Sequence, residues 1–219
     1  MSRLAIFDCD GTLVDSQATI CSAMEESFAA AGLSPPSREQ TRRIVGLSLV
    51  EAMQAILPDA DHVLHRSLAE GYKTAFQNMR GRGQVEEPLY AGIPELLDSL
   101  EADGWLLGVA TGKSDRGLGL CLACHGLDRR FVTLQTADRH PSKPHPSMIH
   151  AALADAGAEA HLSMMIGDTS YDMRMAKAAG VIAIGVAWGY HAPDELIAAG
   201  ADFVAHRPRE VAEFMKASA

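Results

Sequence analysis

Two carboxylates stand one residue apart at Asp8-Cys9-Asp10, directly after the apolar run Leu4-Ala5-Ile6-Phe7 and directly before Gly11-Thr12. An apolar run that breaks into a polar, glycine-containing turn is how a buried strand ends in a loop. In an open α/β sheet, ligands bind outside the carboxyl ends of the strands, so Asp8 and Asp10 project where a substrate can reach them. Gly11 lets the backbone turn sharply and come close to a ligand. Asp-x-Asp-Gly-Thr is also ordinary turn chemistry. What separates the two readings is whether other reactive groups gather at the same edge.

Three later stretches do. Val109-Ala110 runs into Thr111-Gly112-Lys113-Ser114, a hydroxyl and a glycine at a helix start, where backbone N–H groups favour an anion; capping by Ser114 or Asp115 accounts for the same residues. Ser142-Lys143-Pro144 precedes a helix that opens at Pro146, with Lys143 either a site cation or a solvated surface lysine. Met164-Met165-Ile166 leads into Gly167-Asp168-Thr169-Ser170-Tyr171-Asp172, two carboxylates four apart at a strand-to-helix turn, of which Asp172 also suits the first-turn dipole. If the strand ends share one edge, Asp8, Asp10, Asp168 and Asp172 converge. Two unit charges 4 Å apart repel by about 4 kcal/mol at an effective dielectric near 20, so the cluster needs a cation or protons. Mg²⁺ suits a site of few carboxylates plus water and phosphate oxygen.

The rest of the chain must bring these strand ends together. From about residue 15 to 87 helix follows helix: Ile20, Met24 and Phe28 recur at helical spacing, Ser37-x-x-Gln40 and Ser48-x-x-Glu51 are capping-box candidates, and a further helix covers about Asp61 to Asn78. Gly81 to Pro88 reads as a linker. Beyond it strands are expected at Trp105–Ala110, Phe131–Leu134, Leu162–Ile166, Val181–Val186 and Asp202–Val204, alternating with helices. That alternation specifies an α/β fold, a parallel sheet with helices on both faces. The helical block interrupts it after the first strand, giving a core of residues 1–14 and 88–219 and an inserted all-helical cap of residues 15–87, expected to act as a lid.

The chain has 219 residues, a formal net charge of −9 and a mean hydropathy of +0.01, which places it with soluble globular proteins. The negative balance argues against nucleic acid, whose phosphates need a Lys/Arg surface. No apolar run approaches the ~20 residues of a membrane span. The start carries no charged-then-apolar leader, and four scattered cysteines (Cys9, Cys21, Cys121, Cys124) fit a reducing cytoplasm. Cys121-Leu122-Ala123-Cys124-His125 matches redox and haem-attachment spacings, but on an apolar helical stretch it reads as core packing.

Asp8-x-Asp10-Gly11-Thr12, Thr111, Lys143-Pro144 and Gly167-Asp168-(x)3-Asp172, in that order, resemble the haloacid dehalogenase superfamily, most closely its phosphoglycolate phosphatase and β-phosphoglucomutase group. The resemblance covers nearly the whole chain and implies a Rossmann-like core, a Mg²⁺ cofactor and an aspartyl-phosphate mechanism acting on a small phosphorylated metabolite. It implies that Asp8 attacks phosphorus and that Asp10 protonates the leaving group and then activates water. Mg²⁺ would be held by Asp8, the Asp10 backbone carbonyl and Asp168, with Asp172 in support. Phosphate contacts fall to Thr12, Thr111, Gly112 and Lys143, and substrate contacts in the cap to Arg42, Arg43 and Ser48. Gly112 stands where many relatives carry Asn or Ser. A monomer or homodimer is expected.

Several relatives' activities are weighed against the residues. A phosphosugar mutase or a pyrophosphatase would use the same acids. Dehalogenase relatives lack the general-acid aspartate that Asp10 supplies, and phosphonatase relatives need a cap-loop lysine that is missing between Arg38 and Leu57. A catalytically idle binding member is disfavoured by the intact acids and Lys143. Hydrolysis of a phosphomonoester, phosphoglycolate or a similar one, is the reading that remains.

Overall fold

The computed structural model describes residues 2–218. Six parallel strands form one sheet: β1 (Ser2–Phe7), β2 (Leu106–Thr111), β3 (Thr133–Thr136), β4 (Ala158–Gly167), β5 (Ile182–Val186) and β6 (Phe203–Ala205), in the order β3-β2-β1-β4-β5-β6. The order reverses direction between β1 and β4, and such a switch point opens a crevice at the carboxyl ends of the strands. Phe7 pairs with Val109 on one side and Ile166 on the other, so Asp8, Thr111 and Asp168 emerge at the same edge.

Side chains alternate across β1 as a strand requires. Ala5 and Phe7 join a core with α5 (Ile93–Ala102), α6 (Asp115–Cys124) and α10 (Pro208–Ala217), while Leu4 and Ile6 join a second with α7 (Ser147–Ala156), α8 (Ser170–Ala179) and α9 (Pro193–Ala198). The sheet is therefore covered on both faces. Between β1 and α5 lie four helices, α1 (Gln17–Ala30), α2 (Arg38–Arg43), α3 (Leu49–Ile56) and α4 (His62–Gly81), with an apolar cluster of their own that includes Met24, Phe28, Met53 and Leu68. No helix among the described residues is long and apolar enough to cross a membrane.

Some expected boundaries move. The third strand begins at Thr133 rather than Phe131: Phe131 fills the core, Val132 is half exposed, and the ladder runs through polar residues. Thr133 and Gln135 are buried there because both donate to the Asp155 carboxylate, at 2.8 and 2.7 Å. β4 starts at Ala158, earlier than Leu162, because its first half alternates in burial and lacks the continuous apolar run of its second half. The capping box forms at Ser37, whose side chain and Gln40 exchange bonds with each other's backbone. At Ser48 it does not form: Ser48 opens α3, but its hydroxyl makes no cap bond. All four cysteines are free; Cys121 packs in the core as expected, whereas Cys124 is exposed and does not.

Candidate active site

Asp8 follows β1 and its N–H donates to the Ile166 carbonyl at 2.9 Å, continuing the ladder. One carboxylate oxygen, Oδ1, accepts from the Cys9 N–H at 2.6 Å and from Lys143 Nζ at 3.0 Å. The other, Oδ2, is the one buried side-chain polar atom without a partner among the described residues. Beside it stand Asp168 and Asp172, and one carboxylate oxygen from each of the three lies within 4.8 Å of the others. Asp168 accepts from the Thr12 hydroxyl at 2.8 Å and from the Tyr190 N–H at 2.9 Å. Asp172 accepts from Lys143 at 2.6 Å and, through its other oxygen, from the hydroxyl and N–H of Thr169, which caps α8.

The approach of these acids depends on Gly11, whose φ of +80° lies in the region that glycine adopts without strain. A Cβ there would sit 2.2 Å from Asp168 Oδ2. Burial pushes Asp8 up to about 7 in spite of the neighbouring Lys143 charge, with Asp172 and Asp10 adding to the rise. Burial, then Asp8 and Asp172, raises Asp168 well above the usual carboxylate range. Lys143 is wholly buried; burial alone would lower its pKa, but Asp172 and Asp8 outweigh this and hold it above the ordinary lysine value. Three ionised carboxylates against this one ammonium leave a net charge of 1 − 3 = −2. The residues therefore fit one divalent cation: the charge matches, all donors are oxygen, and the orphaned Asp8 oxygen lacks the partner that buried polar atoms need.

Asp10 points to a different neighbourhood. Its Oδ1 accepts from the Ser16 hydroxyl and from Lys113 Nζ, the latter at 2.9 Å, so its side chain is not in the acidic cluster. Lys113 also donates to Glu87 at 2.6 Å, and the second oxygen of Glu87 accepts from Arg80 of α4 at 2.8 Å. Burial pushes Glu87 up, but Lys113 and Arg80 outweigh it and hold the carboxyl below its ordinary range. Lys113, Ser16 and Glu87 are the partners that the sequence reading did not single out. The available signal was a lysine inside the same Thr-Gly-Lys-Ser turn that supplies Thr111.

A cavity of about 610 Å³ lies between the helical block and the sheet edge and reaches Asp8, Asp10, Thr111, Gly112 and Lys113. Five expected contacts fall elsewhere. Lys143 is buried, does not line the cavity and gives its ammonium to Asp8 and Asp172. Thr12 lies outside the cavity, fully buried, with its hydroxyl on Asp168 and its N–H on the Cys9 carbonyl, so neither is left for a phosphate. Arg43 extends outward to Glu195 at 2.7 Å, and Arg42 and Ser48 also lie outside the cavity. What this loop contributes is docking: the Ser48 N–H donates to Ser142 at 2.8 Å and the Tyr171 hydroxyl donates to the Arg43 carbonyl at 3.2 Å. Gly112 meets the loop backbone directly, since a Cβ there would lie 2.9 Å from the carbonyl oxygens of both Gly46 and Leu47.

Residues 5–186 match the model of the haloacid dehalogenase-like hydrolase family. The chain belongs to that family. It is 37% identical over 203 residues to the probable phosphatase IndB of Dickeya dadantii, covering 91% of this chain and 87% of that one. It is 33% identical over 198 residues to a phosphoglycolate phosphatase of Agrobacterium fabrum, covering 87% and 82%. The crystal structure of a predicted phosphatase from Clostridium acetobutylicum superposes with a TM-score of 0.89 at 25% identity, covering 99% of each chain. As a member of this hydrolase family the chain carries its acids where the carboxyl ends of β1 and β4 meet.

Proposed function

We propose that this chain is a Mg²⁺-dependent phosphatase that hydrolyses small phosphomonoesters through a phosphorylated Asp8. The observation that carries this reading is the unpartnered buried oxygen of Asp8, beside Asp168 and Asp172 and at the wall of the same cavity as Asp10. The names of the relatives, phosphatase and phosphoglycolate phosphatase, support it.

Asp8 and Asp168 would hold the metal, with Asp172 in support through its grip on Lys143; when bound, Mg²⁺ supplies positive charge against the oxygens of the transferring phosphoryl group. A carboxylate oxygen of Asp8 forms a bond to phosphorus as the ester P–O bond breaks, and Asp10, entering the step with a proton on the oxygen that Ser16 and Lys113 leave free, gives that proton to the departing alkoxide. Asp10 then takes a proton from water as that water attacks phosphorus, the Asp8–phosphorus bond breaks, and inorganic phosphate and free Asp8 result. Thr111, buried at the end of β2 and open to the cavity, positions the phosphoryl group, and the Lys143 ammonium steadies the attacking carboxylate. The helical block acts as a lid that excludes bulk water during transfer.

The test is turnover of p-nitrophenyl phosphate by purified protein with and without Mg²⁺. Activity is expected with the metal and lost on chelation, and Asp8→Asn is expected to abolish it. Acid quenching during turnover of radiolabelled substrate traps label on the wild-type chain and none on the variant. Retained turnover in Asp8→Asn overturns the assignment.

A further inference from the structure

The cavity says more about the alcohol than about the phosphate. Beyond the reacting groups one side of its wall is apolar, built by Ile20 and Met24 of α1, Ile44 and Leu47 of the cap loop, and Tyr72 and Phe76 of α4, while charged and polar side chains that include Gln77 and Asp138 also line it. The two aromatic rings lie 6.0 Å apart and tilted, forming one side of the space. Of the four cations that line it, three are held in ion pairs and the fourth, Arg116, is exposed to solvent. Lys113 is paired with Asp10 and Glu87, Arg80 with Glu87 and Lys73 with Glu70.

A two-carbon acid such as glycolate would bring a carboxylate into this space. An unpaired buried charge is strongly disfavoured, whereas apolar surface leaving water for such a wall is favoured. The volume points the same way. A cavity of about 610 Å³ falls within the ~300–1,000 Å³ range of sites that enclose drug-sized ligands, far more than a two-carbon group fills.

On the phosphatase reading, on which this rests, we propose that the substrate is the phosphate ester of an uncharged, ring-bearing alcohol, whose ring packs against Tyr72 and Phe76 while its phosphate meets Asp8. The carboxylate of phosphoglycolate is then a poor match for this cavity, despite the relatives that carry that substrate in their names.

The experiment compares benzyl phosphate, ethyl phosphate and phosphoglycolate, all alkyl esters, by kcat/KM with Mg²⁺ present. Benzyl phosphate is expected to exceed each of the others by tenfold or more, on the order of a lost apolar contact. Phe76→Ala should erase most of that advantage, and Leu47→Lys, which places a cation in the wall, should shift the ratio tenfold towards phosphoglycolate. Equal or better turnover of phosphoglycolate by the wild-type chain overturns the proposal. Binding of 2-phenylethylphosphonate against 3-phosphonopropionate, read by calorimetry, reports the same preference without turnover. A chain that hydrolyses none of the esters but prefers the phenyl phosphonate refutes the phosphatase reading and keeps the cavity assignment; preference for the carboxylate ligand refutes the assignment alone.

Discussion

The ammonium of Lys113 lies 2.9 Å from the carboxylate of Asp10, and the same nitrogen lies 2.6 Å from Glu87. Glu87 sits on the return from the helical block and holds Arg80 of α4 with its other oxygen. Asp10, the proposed proton donor, is thus tied, through two ion pairs, to the helices that cover the cavity. All of these side chains except Arg80 are nearly inaccessible, so their mutual attraction is little screened by salt.

Removing one member of a buried ion pair leaves the other charge uncompensated, at a cost of about 3–5 kcal/mol. Lys113→Met is expected to lower thermal stability by several degrees and to reduce kcat more than it changes KM. Because Lys113 contacts Glu87 directly, Lys113→Met with Glu87→Gln should be less harmful than the two single effects added together. A double-mutant cycle by denaturant unfolding measures this, and strict additivity would show that the pair is not energetically coupled.

The raised acids give a signed dependence on pH. Asp8 titrates near 7 in the fold against 3.8 for a free side chain, and Asp168 is raised as well. Between about pH 4 and about pH 7 these two acids therefore bind more protons in the metal-free fold than in the unfolded chain, and their contribution to stability falls as pH rises through that window. On the proposed reading, Mg²⁺ would replace those protons. Its stabilising effect in a thermal melt should grow from about pH 4 to about pH 7, with proton release detectable by calorimetry in buffers of different ionisation heat. A metal-induced shift that is constant with pH would contradict this.

At Gly112 the cap loop touches the core backbone to backbone. Any side chain there must displace the carbonyls of Gly46 and Leu47, because a Cβ would lie 2.9 Å from both. Gly112→Ser is expected to hold the loop away from the sheet edge and cut kcat/KM by about tenfold to a hundredfold, as small misplacements near a reacting centre do. Faster proteolysis at the linkers flanking the helical block should accompany the loss. Wild-type kcat/KM in this variant would show that the contact is not needed for turnover.

The acids were legible in the sequence because each lies directly after an apolar strand, and a parallel sheet brings such ends to one edge whatever their spacing along the chain. Asp8 and Asp168 needed only that rule. The helical block was legible from its capping residues and helical spacing. Lys113 was not, since its partners Asp10 and Glu87 are distant in sequence and nothing local marks which carboxylate a lysine will choose. Arg43 failed for the same reason in reverse. A positive charge in a cap loop suggested an anion contact, but Glu195 of α9 lies on its outer side and takes it. β3 was displaced by two residues because its buried positions are polar and satisfied by Asp155, a packing that hydrophobic periodicity does not register.

Thr12 separates two roles that the sequence alone merges. Its hydroxyl donates to Asp168 at 2.8 Å from a fully buried position and is not part of the cavity wall. On the proposed reading, a hydroxyl so placed orients a carboxylate that would bind the metal and leaves the phosphate to other groups. Removal of a group that orients a ligand typically costs about 10–100-fold in metal affinity. Thr12→Val, close in volume but without the donor, is therefore expected to raise the Mg²⁺ concentration for half-maximal activity by about that factor. KM for the phosphate ester, measured at saturating Mg²⁺, should stay within about twofold of wild type, since uniform substrate binding would be unaffected. A large rise in KM with an unchanged Mg²⁺ requirement would return Thr12 to the phosphate and remove it from the metal.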